Sequence, residues 1–118
     1  MQKVDRTQRL GEQIRRELAG ALGEIISHPH ASFLSITAVR ITRDLSYGKV
    51  YITHIIQDKS ERTELLKLLN SKSKQFQAYL FKRLSIRKIP ELTFLYDNSV
   101  EYGAKMESLL SKLIQSED

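Results

Sequence analysis

The sequence predicts an α+β fold, a three-stranded sheet with helices packed on one face. Three observations point to it. Apolar residues recur at helical steps near the start, two β-branched runs flank a short polar turn, and a basic helical region leads into an alternating apolar strand. No repeat, linker or low-complexity stretch divides the 118 residues. They read as one domain, long enough to close an apolar core without metal or disulfide.

The first helix follows from Leu10, Ile14, Leu18, Ala21, Leu22 and Ile25, spaced three and four apart as one buried face requires. Asp5 or Thr7 can cap its start, and Pro29 stops it after Ile26. Gly11, Gly20 and Gly23 lie inside it at a cost of about 1 kcal/mol each relative to Ala. A closely packed neighbour, the sheet, is the expected compensation. Gly20-Ala21-Leu22-Gly23 matches the Gly-x-x-Gly pattern of a nucleotide-clamping loop, but Ala21 and Leu22 fall on the buried helix face, which makes it a packing feature.

Two β-branched runs follow, Leu34–Thr42 and Lys49–Ile56. The turn-rich segment between them predicts an antiparallel hairpin. Asp58 and Glu61 have capping-box spacing and open a second helix, with Leu65, Leu66 and Leu69 inside. The stripe breaks at Lys72 and Ser73 and resumes at Phe76, so two helices should meet at a kink between Asn70 and Lys74, left wet and accessible by its polar residues. Pro90 should end the helical region. Leu92, Phe94 and Tyr96 then alternate with Thr93 and Leu95 as a third strand. Asn98 and Glu101 open a last amphipathic helix carrying Met106, Leu109, Leu110 and Leu113.

Charge is concentrated. From Ser71 to Pro90 the chain carries Lys72, Lys74, Lys82, Arg83, Arg87 and Lys88 and no acidic residue, whereas the formal net charge of the whole chain is only +5. With Phe76, Tyr79, Leu80 and Leu84 as the apolar side of a helix, those cations should be displayed on a folded surface. An acid-free run lacks the mixed signs of an ordinary solvated face and suits a polyanion, most simply a nucleic acid. The first helix ranks second as such a surface. Its Arg6, Arg9, Arg15 and Arg16 point away from the apolar stripe but are largely offset by Asp5, Glu12, Glu17 and Glu24.

Other chemistry finds little support. There is no cysteine, no phosphate-binding Gly-rich loop and no His paired with a nucleophile motif, so neither an enzyme nor a cofactor is expected. His28 and His30, with His54, fall short of a structural zinc site and are read as loop residues. No secretory leader or lipid anchor is recognisable, and no apolar run reaches the ~18 residues a bilayer span needs. A cytoplasmic protein with no membrane partner is the expectation. Asp44 either holds the hairpin turn or, with Arg43, touches the partner. Tyr47 and Tyr51 could stack on bases, although strand aromatics more often belong to the sheet.

The element order, with a basic helix–kink–helix before the last strand, is similar to the type II KH domain, an RNA-binding fold. Three segments resemble the ribosome-binding factor A family more specifically: Arg6-Thr7-Gln8-Arg9-Leu10, Thr42-Arg43-Asp44-Leu45-Ser46-Tyr47-Gly48-Lys49-Val50-Tyr51, and Ile86-Arg87-Lys88-Ile89-Pro90-Glu91-Leu92-Thr93-Phe94-Leu95-Tyr96-Asp97-Asn98-Ser99. The resemblance runs in register from about Arg6 to Leu113. It implies a bacterial, non-catalytic assembly factor that binds the free immature small (30S) ribosomal subunit. Such a factor promotes late 16S rRNA folding and precursor-end processing, matters most in the cold, and is released with the help of an assembly GTPase. Two departures stand out. Where the family carries an Ala-x-Gly kink this chain has Lys72-Ser73-Lys74, and where relatives carry an acidic-proline-basic turn it has His28-Pro29-His30.

The sequence therefore reads as a monomeric KH-like RNA-binding domain over residues 1–118, with a core of about 6–98 and a C-terminal helix of about 99–115. The RNA-binding residues are expected to be Lys72, Lys74, Lys82, Arg83, Arg87 and Lys88, joined by Arg6, Arg9, Arg16 and Arg43. A general KH-type RNA binder and a basic protein-docking module are the alternatives.

Overall fold

Amphipathic periodicity becomes a helical layer resting on a sheet. The computed structural model describes residues 6–27, 34–54 and 58–98. Their order is α1 (Arg6–Ile25), β1 (Leu34–Ile41), β2 (Tyr47–His54), α2 (Lys59–Ser71), α3 (Ser73–Arg83) and β3 (Glu91–Tyr96). This is the α-β-β-α-α-β order expected. The proposed C-terminal helix, the Asp5 cap and the turn His28-Pro29-His30 lie outside the described residues. Thr7 is no cap, because it sits within the first turn of α1.

In α1, Leu10, Ile14, Leu18, Ala21 and Leu22 are buried, the face that the spacing predicts. A Cβ on Gly11 would sit 2.6 Å from the Val39 carbonyl oxygen, so the helix backbone lies directly on β1. Of the three glycines only Gly11 is required by the sheet: Gly20 faces the Tyr79 hydroxyl at an ordinary 3.5 Å, and Gly23 faces no described residue within 4 Å.

The sheet order is β1-β2-β3, with β1–β2 antiparallel and β2–β3 parallel. A bulge falls between Ile36 and Ala38. It shifts the inward-facing set from Leu34 and Ile36 to Val39 and Ile41, as an extra residue on one strand must. Gly48, Val50 and Ile52 of β2 and Leu92 and Phe94 of β3 face the helices and are buried. Phe76 stacks at a tilt on Phe94, ring centroids 5.1 Å apart, at the centre of the core.

Asp58 caps α2 by accepting from the Ser60 and Glu61 N–H groups, as the capping spacing predicts. Lys72 alone separates α2 from α3, with φ −99° and ψ 10°. The kink therefore forms without a glycine, and no described residue there needs a positive φ.

Ser71 and Lys74 are exposed at the kink as expected, but Asn70, Ser73 and, just after it, Gln77 turn to the sheet. The Gln77 amide donates to the Pro90 carbonyl at 2.9 Å, the Ser73 hydroxyl to Leu92 at 2.7 Å, and the Asn70 amide to Phe94 at 3.2 Å. The Phe94 N–H returns a bond to Asn70 Oδ1 at 2.7 Å. Glu91 and Asp97 direct their N–H groups to Ser46 and Ile52 on the β2 side. Pro90, Leu92 and Phe94 thus present carbonyls to the outer edge of β3, and one helical side chain meets each. The helices close an edge that would otherwise invite another strand.

α3 also ends earlier than Pro90 suggests. Leu84 is extended at φ −105° and ψ 137°, and its N–H closes the last turn on Leu80. Leu84, Ile86 and Ile89 then pack on the core at non-helical spacing, and proline biases its predecessor toward extended backbone. Arg87 and Lys88 belong to this extended segment and not to the helix.

Candidate nucleic-acid interface

The ten predicted cations do not share one face. α1 and α3 run antiparallel, Gly20 against Tyr79 and Glu17 opposite Arg83. Helical geometry puts Phe76 and Leu80 inward, so Lys74, Ala78 and Phe81 form the outward stripe of α3, with Lys82 beside it. Lys72 opens this face at the break and is half-buried, whereas Lys74 and Lys82 are exposed. Arg83 is committed in part to its neighbours, since its guanidinium lies 4.2 Å over the Tyr79 ring and 3.9 Å from Glu17.

A second cluster forms at the end of the molecule where α1 begins, β1 turns into β2 and the segment after α3 passes. Arg6, Arg9 and Arg43 rim a groove of about 650 Å³, with Leu10, Leu45 and Ile86 among its lining residues. Arg87 follows Ile86 in the same segment, and Lys88 Nζ donates to Ser46 Oγ across the turn at 2.9 Å. Arg16 is exposed on α1 but does not line this groove.

The hairpin turn that carries Arg43 is rigidly tied. Asp44 accepts from the Thr42 hydroxyl at 2.7 Å, the Ser46 N–H at 3.1 Å and the Ser46 hydroxyl at 2.9 Å. The Thr42 hydroxyl, the Ser46 bonds and the nearby Lys88 together hold the Asp44 carboxyl below its ordinary value of 3.8. Asp44 is thereby given a structural role, while Arg43 points its charge outward from the same turn. Leu45 adopts φ 62°, the left-handed region, and packs against the core.

Sequence reasoning missed Phe81. It is 61% exposed on the basic face of α3, flanked by Lys74 and Lys82. The signal was available, because Phe81 follows Leu80 by one residue and so falls about 100° away from the buried stripe. Tyr47, 59% exposed, lies on the sheet face opposite the helices, and Tyr51, half-buried, lies farther along the same face beyond Lys49. Among the described residues no His, Cys, Asp or Glu group could hold a metal ion, and no helix is long and apolar enough to cross a membrane.

A family model described as "Ribosome-binding factor A" matches residues 6–110. The ribosome-binding factor A of Dichelobacter nodosus is 60% identical over 115 residues, covering 98% of this chain and 94% of the relative. That of Staphylococcus epidermidis is 40% identical over 108 residues, covering 92% of each. The crystal structure of ribosome-binding factor A from Thermus thermophilus superposes with a TM-score of 0.65 at 27% identity, covering 76% of this chain and 94% of that one. A Thermus thermophilus ribosome binding factor A homology model, fitted into a cryo-EM map of a 30S complex, gives 0.66 at 26% identity, covering 78% and 96%. On sequence and fold alike, the chain belongs to the ribosome-binding factor A family.

Proposed function

We propose that this protein binds the free immature small ribosomal subunit and acts there by binding alone, favouring late 16S rRNA folding and the processing of precursor ends. The observation that carries the reading is family membership over residues 6–110, joined to a relative placed in a 30S complex. The two basic clusters supply the physical means. Phosphate contacts from Lys72, Lys74, Lys82 and Arg83 on the α3 face, and from Arg6, Arg9, Arg43, Arg87 and Lys88 at the hairpin end, with Arg16 exposed on α1 between the termini of that helix, locate the domain on folded rRNA.

A binder shifts an rRNA equilibrium only by its difference in affinity for the two conformations. Two clusters on different faces can bridge rRNA segments that lie correctly only in one conformation, which gives such a difference a structural origin. Release by an assembly GTPase and action as a monomer in the cytoplasm complete the reading.

Co-sedimentation of the tagged full chain through a sucrose gradient at physiological salt tests it. Enrichment on free small subunits and absence from translating ribosomes is the expected result. Absence from every ribosomal fraction, with folded protein, would overturn it.

A further inference from the structure

The groove between α1 and the hairpin turn has a composition that phosphate binding alone does not explain. A surface that only tracks a nucleic-acid backbone needs cations, whereas this one places Leu10, Leu45 and Ile86 among three guanidiniums. Its volume, about 650 Å³, lies within the range of small-ligand sites. Arg6, Arg9 and Arg43 make no ion pair with any described residue. Leu45 reaches the groove from a left-handed backbone, φ 62°, that a leucine adopts only under restraint. The Asp44 bonds to Thr42 and Ser46 supply that restraint.

We propose that this groove holds one unpaired nucleotide of RNA, its base against Leu10, Leu45 and Ile86 and its flanking phosphates on Arg6, Arg9 and Arg43. The proposal rests on the RNA-binding reading above and adds what the site selects. A base within a duplex keeps its faces stacked and cannot enter, while a base in a loop or linker can be splayed onto an apolar floor. Arginine suits the rim because its planar fork pairs with phosphate and also stacks on a base. Gln13, also in the lining, offers both a donor and an acceptor to the base edge.

The test is a binding cycle read by fluorescence anisotropy. The full chain and Leu45→Gly are each titrated with a labelled single-stranded RNA octamer and with the same octamer carrying one abasic position. Glycine removes the Leu45 part of the apolar floor while fitting the turn's positive φ. The wild-type chain should lose about tenfold in affinity for the abasic strand, and Leu45→Gly should bind both strands alike. Arg9→Gln with Arg43→Gln should weaken both strands equally.

Should Leu45→Gly melt well below the wild type, Ile86→Ala repeats the cycle from the non-helical segment. An abasic penalty that persists in the groove variants would overturn the proposal, as would a duplex competing as well as the single strand. Tighter capture of an acidic peptide than of RNA at this groove would do the same. Co-sedimentation of the same variants separates the two readings. Subunit binding without an abasic penalty sinks the nucleotide site alone, and an abasic penalty without subunit binding sinks the ribosomal reading alone.

Discussion

Asn70 pairs with both backbone groups of Phe94, donating to its carbonyl at 3.2 Å and accepting from its N–H at 2.7 Å. One side-chain amide thus imitates the peptide of a missing neighbouring strand, just before the helical break at Lys72. Asn70→Ala should cost about 2 kcal/mol, because two strand groups lose their partner at a part-buried site. Urea unfolding checks this. A loss within about 0.5 kcal/mol would mean that water replaces the amide at no cost.

Acid should loosen the hairpin turn through Asp44. Its hydrogen bonds from Thr42 and Ser46, with Lys88 nearby, favour the charged carboxylate, so its folded pKa lies below the ordinary 3.8. The stabilisation is therefore complete above 3.8 and is lost as pH falls through the lower folded value. Asp58, held down first by the Ser60 hydroxyl, acts in the same direction and window. Melting temperatures followed from about pH 5 to 2 should fall, and Asp44→Ala should lower the plateau and flatten the fall.

The glycines of α1 should respond oppositely to alanine. Gly11→Ala drives a Cβ to 2.6 Å from the Val39 carbonyl oxygen, forcing helix and strand apart. A destabilisation of about 1–3 kcal/mol is expected. Gly23→Ala meets no described residue within 4 Å and should gain about 0.5–1 kcal/mol from helix propensity. Thermal melts of the pair, read together, would expose any error in the placement of α1 on β1.

Two phenylalanines should likewise separate packing from binding. Phe94 is fully buried on Phe76, and Phe94→Ala should cost about 3–5 kcal/mol in chemical unfolding. Phe81 is exposed, so Phe81→Ala should leave stability within about 0.5 kcal/mol. If its ring stacks on an rRNA base, the same change should weaken binding by about 1–3 kcal/mol. An unchanged affinity would make Phe81 a passive surface residue.

Much of this was legible in the residues. The Leu10–Leu22 stripe, the Asp58 cap and the Leu92–Phe94 alternation each obey a local period, and local periods survive into the fold. The bulge left only a trace, the step from Ile36 to Val39 that interrupts a two-residue rhythm. The bonds from Asn70, Ser73 and Gln77 left none, since a polar side chain bound to a strand edge looks in sequence like one bound to water. The basic residues from Ser71 to Pro90 are plain in the sequence, but their division between α3 and the segment after it is not, because the extended backbone of Leu84 is set by core packing. The meeting of Arg6, Arg9 and Arg43 is purely tertiary, joining two segments more than thirty residues apart in the chain.

The most direct test of the central claim is an equilibrium titration of labelled protein with purified free small subunits across a range of salt. Binding should fall steeply with salt, and Lys72→Ala with Lys74→Ala should weaken it and lower the slope by about 1–2, with an unchanged melting temperature. Affinity that ignores salt, or a double variant that binds as tightly with the same slope, would contradict an electrostatic interface on this face.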